Sequence, residues 1–259
     1  MKIGVFGDSF ADRDNGMPDR KDESWMQCLE NLGHTIVSYG YGGTSTYWSF
    51  EQFSRNFRQF DHIIFCYSSQ ERIHTLPPNL ESFSSMKSVD ELYASGRYQM
   101  LTTEEELNLN RILTGYLVAY NPSFNVFVQQ KIFDEVNLLC ARHNIKLINI
   151  LPFEGNNHNF SLNLDTRHGD CLYNLLDIVY KEVGGLLKFR DPRFCHLSTE
   201  NNQVLANIVS ESLQKTNCKD IIDLYKDTRF IYNQEIFQRY RNWHAQIGNY
   251  DKSYNNFGR

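Results

Sequence analysis

The stretch Met1–Phe10, MKIGVFGDSF, decides the fold by the way it ends. Lys2 to Phe6 is a short apolar run that reads as a buried strand. Gly7-Asp8-Ser9 stops it, because all three residue types favour turns. A serine therefore stands where the first strand ends, and in open α/β sheets ligands bind at that edge. Gly-Asp-Ser taken alone reads more readily as an ordinary turn, so the rest of the chain has to decide between the two readings.

Working outward, Ser24 is placed to cap a helix through Leu32, with Trp25, Leu29 and Leu32 on one face and Gly33 at its end. Thr35 to Tyr39 reads as a second strand, Gly40–Ser45 as a turn, and Tyr47 to about Phe57 as a helix. Asp61 to Tyr67, DHIIFCY, is a third strand. The order β-α-β-α-β predicts a parallel sheet with right-handed crossovers. Residues 71–102, with Pro77-Pro78 and a serine-rich run, read as an irregular insertion. Thr103 and Glu106 form a capping-box pattern opening a helix to about Tyr120, which Asn121-Pro122 stops. Ser123 to His143 reads as a long helix whose apolar face is Val126, Ile132, Phe133, Val136, Leu139 and Cys140. Lys146 to Leu151, KLINIL, is a fourth strand. The polar stretch 153–170 carries His158 and His168, which read as solvated loop histidines or as substrate contacts beyond that strand's carboxyl end. Leu172 to Val183 is expected to be a helix, and Ser198 or Thr199 to cap a late one bearing Leu205, Ile208 and Val209.

The late helix matters because His196 lies in the loop just before it, with Asp191 five residues upstream. A serine after the first strand and a histidine before the last helix of a domain can meet across the sheet edge. Serine needs such a base, because its free hydroxyl is a poor nucleophile at neutral pH.

These residues resemble the SGNH (GDSL-type) hydrolases over roughly residues 1–70 and 185–215. Gly7-Asp8-Ser9 matches the family's first block, which implies that Ser9 is the nucleophile. Gly40-Tyr41-Gly42-Gly43-Thr44-Ser45 resembles the second, whose glycine gives a backbone N–H to the oxyanion hole; Gly43 is the first choice and Gly42 the next. His196-Leu197-Ser198 resembles the last block, which implies that His196 is the general base. Two departures stand out. The third block normally reads Gly-x-Asn-Asp, and its asparagine donates to the oxyanion. Here Ser68-Ser69-Gln70-Glu71-Arg72 follows the third strand, with Ser69 at the asparagine position and Ser69, Gln70 or Arg72 as replacement donors. The family's acid stands three residues before the histidine, where this chain has Arg193, so either Asp191 serves from a longer loop or the site is a Ser-His dyad. The Ser-Ser-Gln-Glu-Arg variant is similar to SGNH-type proteins carried by tailed bacteriophages. The resemblance implies an α/β, flavodoxin-like three-layer sandwich with a central parallel sheet, and no cofactor.

The chain has 259 residues, 41% of them hydrophobic and 22% charged, which suits one α/β domain with additions. We expect an SGNH-like domain over 1–219 and a helical extension and tail over 220–259. In that extension Ile221–Tyr225 and Asn233–Ile247 read as amphipathic helices, suited to docking on the domain, self-association or attachment to a virion. The net charge of −5 gives no electrostatic case for nucleic acid. The six cysteines form no Cys-x-x-Cys pair and several lie in apolar runs, which reads as buried thiols in a reducing compartment. No apolar run approaches the ~20 residues of a membrane span. The first strand leads straight into the serine turn, so no signal peptide and a cytoplasmic location are expected, with virion association as a variant.

Two principal functions follow as expectations. One is a serine hydrolase acting on a small-molecule or glycan ester, such as an O-acetyl group on a carbohydrate. The other is a non-catalytic structural or glycan-binding protein on the same scaffold. A nucleotide site at Gly40–Ser45 would lack the lysine of a Walker A loop and leave His196 unexplained.

Overall fold

The computed structural model describes residues 1–13, 24–42, 44–69, 72, 104, 107–108, 111, 114–115, 121–151, 162–173, 197–215 and 219–231. Strands β1 (Lys2–Gly7), β2 (Thr35–Gly40), β3 (His62–Cys66), β4 (Lys146–Leu151), β5 (Asp170–Tyr173) and β6 (Ile221–Asp223) form one sheet in the order β2-β1-β3-β4-β5-β6. Every neighbouring pair is parallel. The helices are α1 (Trp25–Asn31), α2 (Thr46–Asn56), α3 (Pro122–Arg142) and α4 (Thr199–Gln214).

Alternation along each strand sorts the core into two layers. Ile3 and Val5 of β1, Ile64 of β3, Ile148 of β4 and Leu172 of β5 face α1 and α4, where they meet Trp25, Leu29, Leu205 and Val209. Phe6, Ile63, Phe65 and Leu147 face α2 and α3, where they meet Phe53, Ile132, Phe133 and Val136. Strands covered on both faces need apolar residues at successive positions, which is why β3 reads as a continuous run and β4 as one broken only by Asn149. The architecture is the expected α/β three-layer sandwich around a parallel sheet. No helix among the described residues is long and apolar enough to cross a membrane.

The helix starts follow their caps. Ser24 makes a full capping box with Gln27. Asn121, expected only to stop the preceding helix, caps α3 by accepting from the N–H groups of Ser123 and Phe124, with Pro122 in the first turn. Residues 104, 107, 108, 111, 114 and 115 are helical, as the capping-box reading predicts.

Three expectations are corrected. Leu32 is 45% exposed, because α1 ends at Asn31 and Leu32 is its C-cap. Leu172 does not open a helix: it is the third residue of β5, paired with Ile150 of β4. Ile221–Asp223 is not helical but forms β6 on the sheet edge, and the short 3₁₀ turn Leu224–Lys226 follows it. The expected helix remainder 174–183, the helix 233–247, His158 and most of the 71–102 insertion lie outside the described residues.

The thiols of Cys28, Cys66, Cys140 and Cys171 are buried. Burial pushes the Cys66 thiol well up, with the Asp8 carboxylate adding to it, and burial raises Cys140 to about 12. Cys195 and Cys218 lie outside the described residues.

Candidate active site

In the order β2-β1-β3 the chain leaves β1 toward β2 on one side and reaches β3 on the other. The carboxyl ends of β1 and β3 therefore form the topological switch point, where a crevice opens. Ser9 follows β1 there and Ser69 follows β3.

Two glycines let the serine turn lie flat on the sheet. Gly7 and Gly40 are register partners at the ends of β1 and β2. A Cβ on Gly7 would stand 2.6 Å from the Cys66 Cβ and 2.8 Å from that of Ala11. A Cβ on Gly40 would overlap the Ala11 carbonyl and the Asp12 nitrogen. The turn is then fastened by its own groups. Asp8 Oδ1 accepts the Phe10 N–H at 3.0 Å, and the Asp8 carbonyl accepts the Ala11 N–H at 3.0 Å. The Phe10 carbonyl accepts from the Trp25 indole at 2.8 Å, and the Ser38 hydroxyl donates to the Ala11 carbonyl. Every residue from Ile3 to Ala11 is buried except Ser9. The fold thus presents that one side chain at the crevice.

Beneath it lies a buried ion pair. Asp8 is fully buried, and Arg72 Nη2 stands 3.4 Å from Asp8 Oδ2. Burial raises the Asp8 carboxyl from its ordinary value, while Arg72 and the Phe10 N–H pull it down. The other end of the guanidinium donates from Nη1 to the Thr44 carbonyl at 2.9 Å. Both Nη atoms of Arg72 are therefore engaged inward, and the residue also lines the cleft beside Ser69.

The two serines after β3 have different surroundings. Ser68 is buried: its hydroxyl donates to the Thr44 carbonyl at 2.8 Å, its N–H to Thr46 Oγ1 at 3.0 Å, and its carbonyl accepts from Gln129 Nε2 at 2.9 Å. Ser69 is half-buried and lines a small cleft with Ser45, Tyr47, Asn125 and Gln129 at the starts of α2 and α3.

Gly43, Gln70, Asp191 and His196 lie outside the described residues. The residues next to His196 are described. Leu197 is buried in the layer that holds Phe10 and Ala11. Ser198 caps α4, accepting the Asn201 N–H at 3.2 Å. Lys146, at the amino end of β4, donates to the Leu213 carbonyl at the far end of α4. Helix α4 therefore starts at the carboxyl edge of the sheet, the edge that bears Ser9.

His168 belongs elsewhere. It precedes β5 at the amino edge, and its N–H donates to Asn137 Oδ1 at 2.7 Å. Sequence reading missed the Asp8–Arg72 pair and the Thr44–Ser68–Gln129 bonds. The available signal was an arginine in the short polar run that follows a wholly apolar strand.

No family profile and no curated protein matches the chain. Among solved structures, the chain is similar to the psychrotrophic esterase EstA from Pseudoalteromonas sp. at 10% identity and a TM-score of 0.45, covering 82% of this chain and 96% of that one. It is likewise similar to an acetyl xylan esterase at 13% identity and a TM-score of 0.43, covering 82% of this chain and all of the other.

Proposed function

We propose that the protein is a serine ester hydrolase of the SGNH type, with an O-acetyl ester on a carbohydrate as its substrate. The observation that carries the reading is Ser9: the one residue from Ile3 to Ala11 left unburied, on a fastened turn at the switch point of the sheet. The start of α4 at the same edge, directly after His196, supports that histidine as the base.

In this reading Ser9 attacks the acyl carbon while His196 takes its proton and later returns it to the leaving alcohol. Asp191 orients the imidazole and stabilises its charged form. The backbone N–H groups of Ser9 and Gly43 hold the oxyanion, with the Ser69 hydroxyl at the position of the family's asparagine. Water then releases the acid. The cleft beside Ser69 supports a small substrate: Ser45, Asn125 and Gln129 offer polar groups beside Tyr47, Val128 and Ile132, a mixed lining that suits a sugar hydroxyl and a short acyl chain.

The test is hydrolysis of p-nitrophenyl acetate by wild type, Ser9→Ala and His196→Ala. Each variant is expected to lose about 10⁴-fold in kcat and to keep its melting temperature. Wild-type turnover no higher than that of either variant, together with no labelling by a fluorophosphonate, would reject the enzyme in favour of a binding protein on the same scaffold.

A further inference from the structure

Three separate stretches of chain meet at one guanidinium beneath the proposed nucleophile, and no step of the hydrolysis described above uses it. The first stretch is the serine turn, held through Asp8 Oδ2 at 3.4 Å. The second is the end of the glycine loop, held through the Thr44 carbonyl at 2.9 Å. The third is the turn after β3, which carries Arg72 itself and is closed by its N–H donating to the Ser69 carbonyl at 3.3 Å.

We propose that Arg72 is a positioning residue that fixes the distance between the nucleophile turn and the Thr44 segment. The inference rests on the reading of Ser9 as nucleophile. The geometry leaves each partner little freedom. Asp8 Oδ1 is already taken by the Phe10 N–H, so the ion pair with Arg72 runs through Oδ2. The Thr44 carbonyl accepts from Arg72 and from the Ser68 hydroxyl together, and the Thr44 hydroxyl closes the loop onto the Tyr41 carbonyl at 2.8 Å. Arg72 is only 8% exposed, so its planar fork is held by packing as well as by its bonds. The guanidinium hydrogen-bonds the Thr44 carbonyl through Nη1 while Nη2 faces the Asp8 carboxylate as an ion pair, and its planar fork fixes the two contacts relative to each other, whereas a lysine offers a single point charge. Hydrolysis needs the serine oxygen and the oxyanion donors at set separations, and a misplacement of about 1 Å costs on the order of 100-fold in rate.

The test compares full-length wild type, Arg72→Lys, Arg72→Met and Asp8→Asn/Arg72→Met by melting temperature, by kcat and KM on p-nitrophenyl acetate, and by the rate of fluorophosphonate labelling. The lysine variant neutralises Asp8 but loses the bridge, so it is expected to melt near wild type with kcat about tenfold lower and KM within about threefold. The methionine variant is expected to lose about 100-fold in kcat. The double variant removes the stranded carboxylate, and is expected to recover melting temperature without recovering kcat. A folded lysine or double variant with wild-type kcat and labelling rate overturns the proposal, as does a loss confined to KM. If Arg72→Met does not fold, the other two variants decide. A wild type that neither turns over nor labels above Ser9→Ala removes the hydrolase reading and this proposal together. An active wild type with unaffected Arg72 variants removes only the proposal.

Discussion

The two ends of the same six strands are built on different principles. At the carboxyl edge, side chains are removed so that backbone can be laid against backbone: Gly7 and Gly40 admit the 8–12 turn, and a buried arginine ties three loops together. At the amino edge, side chains fasten elements one to another. Lys146 holds the end of α4, His34 Nε2 meets Ser210 Oγ at 2.9 Å, and Phe60 packs on Gly4. One edge is shaped to present a group, the other to close a core. Substitutions at the first should therefore alter chemistry and stability together, and at the second stability alone.

The sharpest break in that comparison is Gly40→Ala. Its Cβ has no space beside Ala11 and Asp12, so the serine turn must lift. We expect a loss of about 1–3 kcal/mol in stability. We also expect a fall of about 100-fold in kcat on p-nitrophenyl acetate, from displacement of Ser9. Gln129→Leu acts at the same edge more mildly. It removes one of two side-chain donors to the Ser68 carbonyl and leaves the Thr46 hydroxyl, which should cost about 1 kcal/mol in chemical denaturation and lower kcat less than Gly40→Ala does. At the amino edge, Lys146→Met should cost about 1 kcal/mol by freeing the α4 carbonyls, with kcat unchanged. A drop in kcat there would erase the distinction between the edges.

The smallest effect is a pH dependence. Burial lowers the pKa of His34, and burial followed by the Lys146 charge lowers that of His62. Each ring also has a buried Nδ1 with no hydrogen-bond partner. A depressed folded value means that the neutral rings stabilise the fold above the ordinary histidine pKa of about 6.5. That stability is lost as pH falls through their folded values. Melting curves from pH 5 to 8 should fall on the acid side in wild type and flatten in a His34→Gln/His62→Gln variant, by no more than about 0.5 kcal/mol.

Much of this architecture was legible because parallel strands buried on both faces carry unbroken apolar runs. Ile63–Phe65 announced β3 in that way, Leu147–Leu151 announced β4 with Asn149 as its one polar break, and Ser24 and Ser198 announced their helices by capping chemistry. The signal failed where elements were short. β5 has four residues, and Leu172 opens an apolar run that has helical spacing when read forward. β6 has three residues on an edge, where Ile221 is 46% exposed and strand pairing does not need an apolar face. In the site, Ser9 was legible because a turn triplet follows a strand directly. The Asp8–Arg72 pair was not, since its partners come from different strands and only the sheet order brings them together.

The four buried thiols turn the molecule into its own opening gauge. They are spread over α1, β3, α3 and β5, so both helical layers and the sheet each carry at least one. With Cys66 well up and Cys140 raised to about 12, almost none of either exists as reactive thiolate while the fold is closed. An alkylating reagent can reach them only during excursions that part the layers. Mass-resolved alkylation of these four positions would therefore time, element by element, how often each layer comes away from the sheet.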